Sequence, residues 1–327
     1  MKRMYIWVMC ALLAAAVLAS GGALAQSLGG STGVAPDFAF ADRERIKVSG
    51  IESGSAWLYE PGTDGTLRPG PRLAYWRFDE NGNALENTTF DRDGSTILRL
   101  VEIYDDSGRL VEAQSDGKQA IHDFRTQFSY SAANKLVESA SYRPDGGVIV
   151  RSRYRYDSEG KMLEMLAENE EGGLVTRSVF TYDANGNVAR TLVYDAAGAL
   201  VSTSACRYDG AGRMIEQTSS VAAVAAAGST TSNYYDAQGN LARIVIRNAD
   251  GVTLQETENT FAADGAIIET VTRNSAVGTR ARQVFRYDAR RNLLEADTYN
   301  KLDQLVSRIG FVYEYFDAKE QPEPEKE

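Results

Sequence analysis

The chain has 327 residues, 35 Lys plus Arg against 45 Asp plus Glu, and a formal charge of −10. That balance argues against a nucleic-acid binder, whose affinity comes from cationic contacts to phosphate, and 43% hydrophobic residues are too many for a disordered chain. Two Cys and one His exclude a disulfide-rich scaffold and a zinc site of the usual kind.

Lys2 and Arg3 lead into an apolar stretch from Met4 to about Leu18, followed by small residues ending in Ala23-Leu24-Ala25. Basic head, apolar middle and Ala-x-Ala end predict a secretory signal over residues 1–25, cleaved after Ala25, and a periplasmic or secreted protein. The apolar run is short for an anchoring helix, and Cys10 lies inside it instead of at a lipoprotein cleavage point. Cleavage removes Lys2 and Arg3, takes the charge to about −12 and leaves Cys206 without a partner for an intramolecular disulfide. Residues 26–36 read as a flexible leader. Residues 37–74 hold a hairpin around Pro61-Gly62-Thr63-Asp64-Gly65 and read as an N-terminal capping region.

From residue 75 to 317 a repeat takes over. Aromatic residues fall at Phe78, Tyr104, Tyr130, Tyr156, Tyr182, Tyr208, Tyr235, Phe261, Tyr287 and Tyr313, spaced by 26 residues with one gap of 27. A second series, Phe90, Tyr142, Tyr194 and Tyr299, follows 12 residues behind some of them. The local frame is aromatic-Asp-x-x-Gly-x-apolar, as in Tyr104-Asp105 with Gly108 and Leu110, Tyr156-Asp157 with Gly160 and Met162, and Tyr182-Asp183 with Gly186 and Val188. Asp opens a tight turn because its carboxylate accepts backbone N–H bonds two or three residues on. Gly, or Asn at Asn134, supplies the positive φ that such a turn needs. Between turns the period is two: in Arg151-Ser152-Arg153-Tyr154-Arg155-Tyr156 both rings share a face and the Arg residues point the other way.

About 13 residues per strand and turn predict an all-β fold, an antiparallel meander of about 18 strands between Phe78 and Asp317. Strand twist forbids a flat sheet of that width, so the expectation is an open curled ribbon or half-shell, with a closed β-barrel as the alternative. Val221-Ala222-Ala223-Val224-Ala225-Ala226-Ala227 coincides with the 27-residue gap, where a β-bulge or a short helical excursion would absorb the extra residue. Residues 318–327, charged and containing Pro, read as a disordered acidic tail.

The repeated frame resembles the YD or RHS repeat family, in which Tyr-Asp-x-x-Gly-x-Leu units form strand-turn-strand elements; the resemblance covers about three quarters of the chain. Large members of that family wind such strands into a hollow shell around a toxic domain and close it with an autoproteolytic core carrying Asp-Pro-x-Gly. This chain has no Asp-Pro dipeptide, and only residues 318–327 follow the last repeat. The resemblance therefore implies the β-hairpin architecture and neither self-cleavage nor toxin encapsulation.

No catalytic constellation emerges. His122 lacks a His or Cys partner, and Cys206 fills a slot taken elsewhere by Tyr154 or Phe180, a small core position. Asp105, Asp157, Asp183, Asp195, Asp209, Asp236 and Asp288 recur, but calcium needs six to eight converging oxygens, and the turn role already accounts for them. No metal or cofactor is expected. The aromatic ladder offers the candidate binding surface: Tyr154, Tyr156, Tyr182, Tyr208, Tyr235 and Tyr287, set to stack on sugar rings or a partner's apolar surface. The expected function is a non-enzymatic exported scaffold that binds a protein or glycan of the cell envelope.

Two alternatives stand beside it. An outer-membrane barrel also has a signal and alternating strands, yet Arg190 lies between Val188 and Leu192, and Arg243 between Leu241 and Val245, where a lipid-facing band would be apolar. A carboxylate-dependent glycoside hydrolase needs two carboxyl groups about 5 or 6.5–9.5 Å apart, and the sequence does not single out a pair.

Overall fold

The computed structural model describes residues 43–118, 123–222, 228–275 and 277–316. The signal, the leader, His122 and the tail fall outside them. A seven-residue helix, α1 (Arg43–Ser49), precedes twenty strands. The first ten are β1 (Ile51–Pro61), β2 (Leu67–Phe78), β3 (Ala84–Phe90), β4 (Thr96–Tyr104), β5 (Leu110–Gly117), β6 (Phe124–Tyr130), β7 (Leu136–Tyr142), β8 (Val148–Tyr156), β9 (Met162–Glu168) and β10 (Leu174–Tyr182). The remainder are β11 (Val188–Asp195), β12 (Leu200–Tyr208), β13 (Met214–Val221), β14 (Gly228–Tyr235), β15 (Leu241–Asn248), β16 (Thr253–Phe261), β17 (Ile267–Asn274), β18 (Thr279–Tyr287), β19 (Leu293–Tyr299) and β20 (Leu305–Tyr315).

Every strand pairs antiparallel with the next, and β20 pairs with β1 from Ile51↔Tyr315 to Tyr59↔Arg308. The sheet is a closed barrel of 20 strands, which corrects the expected open ribbon and its count of about 18. The predicted capping hairpin supplies the difference: β1 lacks the Tyr-Asp frame and β2 meets its first copy only at its end, in Phe78-Asp79, yet β1 alternates like the rest, with Ala56 and Leu58 on one face and Ser55, Trp57 and Tyr59 on the other. Closure is favoured because it removes both exposed strand edges and pairs their backbone groups.

The turns form as their chemistry dictates. In the Asp105 turn, Asp105 N–H donates to the Arg109 carbonyl (2.9 Å) and Gly108 N–H to the Asp105 carbonyl (2.8 Å), with Gly108 at φ 71°. Asp105 Oδ1 accepts from the N–H groups of Ser107 and Arg109 at 3.0 and 2.9 Å. The same two side-chain bonds recur at Asp157, Asp183, Asp195, Asp209 and Asp236. The ladder slips by one residue where the first aromatic series meets the returning strand, as between Thr181 and Tyr182, which faces Val188. The extra residue of the 27-residue gap lies in the connection between β13 and β14; those strands pair without a register shift, so no bulge absorbs it.

Register assigns each side chain to one of two faces. Tyr154 opposes Met165 and Ser152 opposes Ala167 on one face, while Arg155 opposes Glu164 and Arg151 opposes Glu168 on the other. The helix shows which face is concave. Arg43 Nε donates to the Asn81 carbonyl (3.1 Å) and its guanidinium lies against Gly108, whereas Arg45 donates to Asn292 Oδ1 (3.4 Å). A helix about 10 Å long reaches turns six strands apart only across the concave side. The hydroxyls that feel the charges of Arg43 and Arg45 are those of Tyr104, Tyr287 and Tyr313, on the face of Tyr154. That face is the inner one, and near the β20–β1–β2 seam it is a packed floor of Ala56, Leu58, Ala74, Trp76, Ile309 and Phe311, all buried.

Candidate binding surface

Away from the strand ends, the inner face carries one formally charged side chain among the described residues, Glu102. The rest is aromatic, aliphatic, Ser, Thr, Asn, Gln or Cys. Its main feature is a ladder of tyrosine hydroxyls, each donating to a backbone carbonyl 20 or 21 residues earlier. Tyr130 reaches Leu110 (2.8 Å), Tyr156 reaches Leu136 (2.8 Å), Tyr182 reaches Met162 (2.7 Å) and Tyr208 reaches Val188 (2.9 Å). Tyr235 continues to Met214 (2.9 Å), Tyr287 to Ile267 (2.8 Å) and Tyr313 to Leu293 (2.8 Å). Phe261 has no hydroxyl, and there Asn259, two residues earlier on the same face, donates its amide to the Leu241 carbonyl (2.9 Å). The side chain four residues past the first turn residue (Asp, or Ser at Ser131) covers the next ring: Arg109 over Tyr130 (5.1 Å), Lys135 over Tyr156 (5.7 Å), Lys161 over Tyr182 (5.9 Å) and Arg213 over Tyr235 (4.5 Å).

The six tyrosines singled out from the sequence thus share the inner face, but differ in access. Tyr154 is 4% exposed, with its hydroxyl on Ser139 (3.0 Å), and burial raises its pKa. Tyr156, Tyr182, Tyr208, Tyr235 and Tyr287 are half-buried, their hydroxyl protons committed to the ladder. Burial pushes the phenols of Tyr182 and Tyr287 up as well, so they stay neutral donors at physiological pH. Cys206 lies on this face two residues before Tyr208; it is partly buried, and burial raises its thiol pKa.

The outer face is built differently. Glu164, buried, is held between Arg155 (2.7 Å) and Arg177, and Arg243 meets Glu256 at 2.5 Å. Asp297, 1% exposed, accepts from Arg308 Nε (2.6 Å) and Nη2 (2.9 Å) and from Arg286 (2.9 Å). Burial works against the Asp297 charge, but the hydrogen bonds of Arg308 and Arg286 outweigh it and hold the carboxyl below the usual range. The second aromatic series sits on this face, each ring under a cation: Phe90 under Arg72 (5.3 Å), Tyr142 under Arg125 (5.6 Å), Tyr194 under Arg177 (5.7 Å) and Tyr299 under Arg282 (4.1 Å). The sequence indicated this series only as a weaker echo of the first.

Carboxylates gather in one cleft of about 450 Å³, lined by Asp79, Glu102, Tyr104, Asp105 and Asp106. Burial raises the Glu102 pKa, against the hydrogen bond it accepts from Tyr104 (3.1 Å). Asp79 and Asp105 use both oxygens within their own turns, on Asn81 and Asn83 and on Ser107 and Arg109. No group of three or more potential metal ligands occurs among the described residues.

No known protein family and no curated protein matches the chain. Among solved structures, the TcdB2–TccC3–Cdc42 complex is similar at 14% identity and a TM-score of 0.41, over 80% of this chain and 16% of that one. A porin-like protein from Bacteroides uniformis is similar at 7% identity and a TM-score of 0.36, over 81% of this chain and 98% of that one. The chain thus spans about a sixth of the toxin-complex chain. The YD/RHS resemblance continues to rest on the repeated residues themselves.

Proposed function

We propose that this is a non-enzymatic, exported β-repeat scaffold that works in water, periplasmic or secreted, and offers the charge-poor inner surface of its barrel to a protein or glycan of the cell envelope. The observation that carries this reading is the separation of charge between the two faces. Arg at the midplane of a lipid-facing strand costs about 2–4 kcal/mol, and the outer face sets Arg99, Arg153, Arg177, Arg282 and Arg308 in mid-strand beside their carboxylates. In water the same lattice keeps the barrel soluble at little cost. The inner face, with half-buried rings fixed by the hydroxyl ladder, suits a neutral sugar or an apolar polypeptide surface. Of the other carboxylates lining the Glu102 cleft, Asp79 and Asp105 are committed to their turns and Asp106 is exposed, which favours binding over hydrolysis.

The test is purification without detergent, followed by capture from envelope extract and a neutral glycan array, with a folded Tyr182→Ala/Tyr208→Ala variant alongside. A soluble protein whose partner or glycan is lost in the variant supports the reading. Aggregation that only detergent relieves would overturn it in favour of the outer-membrane barrel, and a folded, soluble protein that binds nothing would reduce it to a structural role.

A further inference from the structure

We propose that the outer face of the seam formed by β1, β2 and β3 is a second binding site, for a sugar that carries a carboxylate. The register there is unlike that of any other strand pair among the described residues. Between β1 and β2 the ladder shifts twice, between Ala56 and Trp57 and between Trp57 and Tyr59, so that both irregularities flank one tryptophan. Bulges re-aim side chains and are over-represented next to functional sites. Here they set Trp57 opposite Arg72 on the outer face, with its ring 36% exposed on a barrel whose other described tryptophan, Trp76, is buried in the floor beneath.

Three more rings join Trp57. Tyr75 and Phe90 flank the Arg72 guanidinium at 4.5 and 5.3 Å from their centroids. Tyr59 lies against Gly310, where a Cβ would come within 2.9 Å of the ring, so glycine is what lets that ring lie flat on the strand. Val312, 57% exposed, extends the apolar surface across β20. Underneath, the inner sides of the same strands are packed solid by Ala56, Leu58, Ala74 and Trp76, which makes the platform rigid.

Arg72 decides what the platform would take. Elsewhere on the outer face, Arg99, Arg155, Arg177 and Arg286 each meet a carboxylate, whereas Arg247 reaches the Ser232 hydroxyl (3.5 Å). Among the described residues the one hydrogen bond of Arg72 is to Ser55 Oγ (2.7 Å), and its buried Nε has no hydrogen-bond partner. A guanidinium stacked on rings but given no carboxylate is a fork that matches a planar anion, and an exposed tryptophan face beside it matches the C–H face of a pyranose. Charge complementarity and ring stacking together select a uronic-acid type of residue over a neutral sugar. The site stands apart from the inner-face surface, so neither reading depends on the other.

The experiment titrates the full chain with oligogalacturonate, oligoglucuronate and oligomannuronate, each beside its methyl ester, and follows the heat of binding by calorimetry, with tryptophan emission as a second readout in the proteins that keep Trp57. Of the residues after the predicted cleavage point, only Trp57 and Trp76 emit as tryptophan. We expect saturable binding of at least one acid, with its uncharged ester at least tenfold weaker. Arg72→Gln should bring acid and ester to equal, weak affinity, Trp57→Ala should abolish the binding, and Tyr208→Ala on the inner face should leave it unchanged. Circular dichroism establishes that each variant is folded, and Arg72→Lys, which keeps the charge without the fork, should fall between the parent and Arg72→Gln. Failure of all three acids to bind, equal binding of acid and ester by the parent, or a folded Arg72→Gln with unchanged affinity would overturn the proposal.

Discussion

Replacing Asn259 and Phe261 separately and together tests the hydroxyl ladder at the rung that departs from the rule. The Leu241 carbonyl receives its inner-face bond from the Asn259 amide (2.9 Å), because Phe261 has nothing to donate. Asn259→Ala removes that bond and the one its Oδ1 accepts from the Thr270 hydroxyl (2.9 Å), each with a net worth of about 1 kcal/mol, which together in a barrel of this size lower the melting temperature by about 4–8 °C. Phe261→Tyr supplies a hydroxyl at the 20-residue spacing by which Tyr287 reaches Ile267. The neighbouring rung shows that both donors fit at once, since Asn233 (3.0 Å) and Tyr235 (2.9 Å) share the Met214 carbonyl. Phe261→Tyr alone should therefore stabilise, and Asn259→Ala/Phe261→Tyr should recover about half of the loss, since the tyrosine replaces the bond to Leu241 but not the acceptor of Thr270. Calorimetry on the four proteins reads this directly. An Asn259→Ala variant as stable as the parent, or a tyrosine that recovers none of the loss, would refute the ladder as a source of stability.

Other expectations follow from the charge layout and from closure. The Asp297 carboxyl is held below its usual value, so its contribution is complete above about pH 4 and is lost as pH falls through the lower folded value. Asp297→Asn, which leaves Arg286 and Arg308 facing an amide, should cost about 3 kcal/mol in urea unfolding at pH 7, at the low end for a broken pair because both guanidinium groups still touch water; that difference should shrink below about pH 4. Glu102 shifts the opposite way: its raised value makes ionisation unfavourable in the fold, a penalty that grows as pH rises through the unfolded value. Glu102→Gln should accordingly raise the melting temperature at pH 7 and lose that advantage near pH 3.5, where the acid is already neutral by its ordinary value. Deleting Tyr182 through Arg207 removes one hairpin repeat and leaves an even strand number that still closes antiparallel, whereas deleting 13 residues would force β1 and β20 parallel; the first variant should stay folded and monodisperse in light scattering, and the second should aggregate.

Much of this architecture was legible because it is local. Asp183 and Gly186 specify their turn within four residues, and the alternation around Tyr154 fixes which rings share a face. The six candidate tyrosines were placed together for that reason. Closure was not legible, since it joins residues some 260 positions apart in the chain, such as Ser53 and Glu314. The strand that achieves it against β20, β1, carries Trp57 and Tyr59 and no Tyr-Asp frame, whose first copy is Phe78-Asp79 at the end of β2. Nor does the spacing of Phe90, Tyr142, Tyr194 and Tyr299 reveal that they face outward, because the one-residue slip at each turn inverts the parity that simple alternation would give. The substitution of Asn259 for a hydroxyl at Phe261 had a readable signal, the parallel Asn233 before Tyr235, but its meaning needs the backbone carbonyl that both reach.

A disulfide across the seam tests the closed barrel most directly. Ser53 and Glu314 are paired across β1 and β20, their side chains joined by a 2.6 Å hydrogen bond, and opposed residues of an antiparallel pair have Cα atoms about 4.5–5.5 Å apart, within disulfide reach. In a Ser53→Cys/Glu314→Cys chain with Cys206→Ser, mild oxidation should form one intramolecular bond in nearly every monomer, read as a peptide cross-link by mass spectrometry and as a higher urea midpoint. Free thiols that persist under oxidation, or cross-links found only between separate chains, would show that the ends of the sheet do not meet and would contradict the barrel.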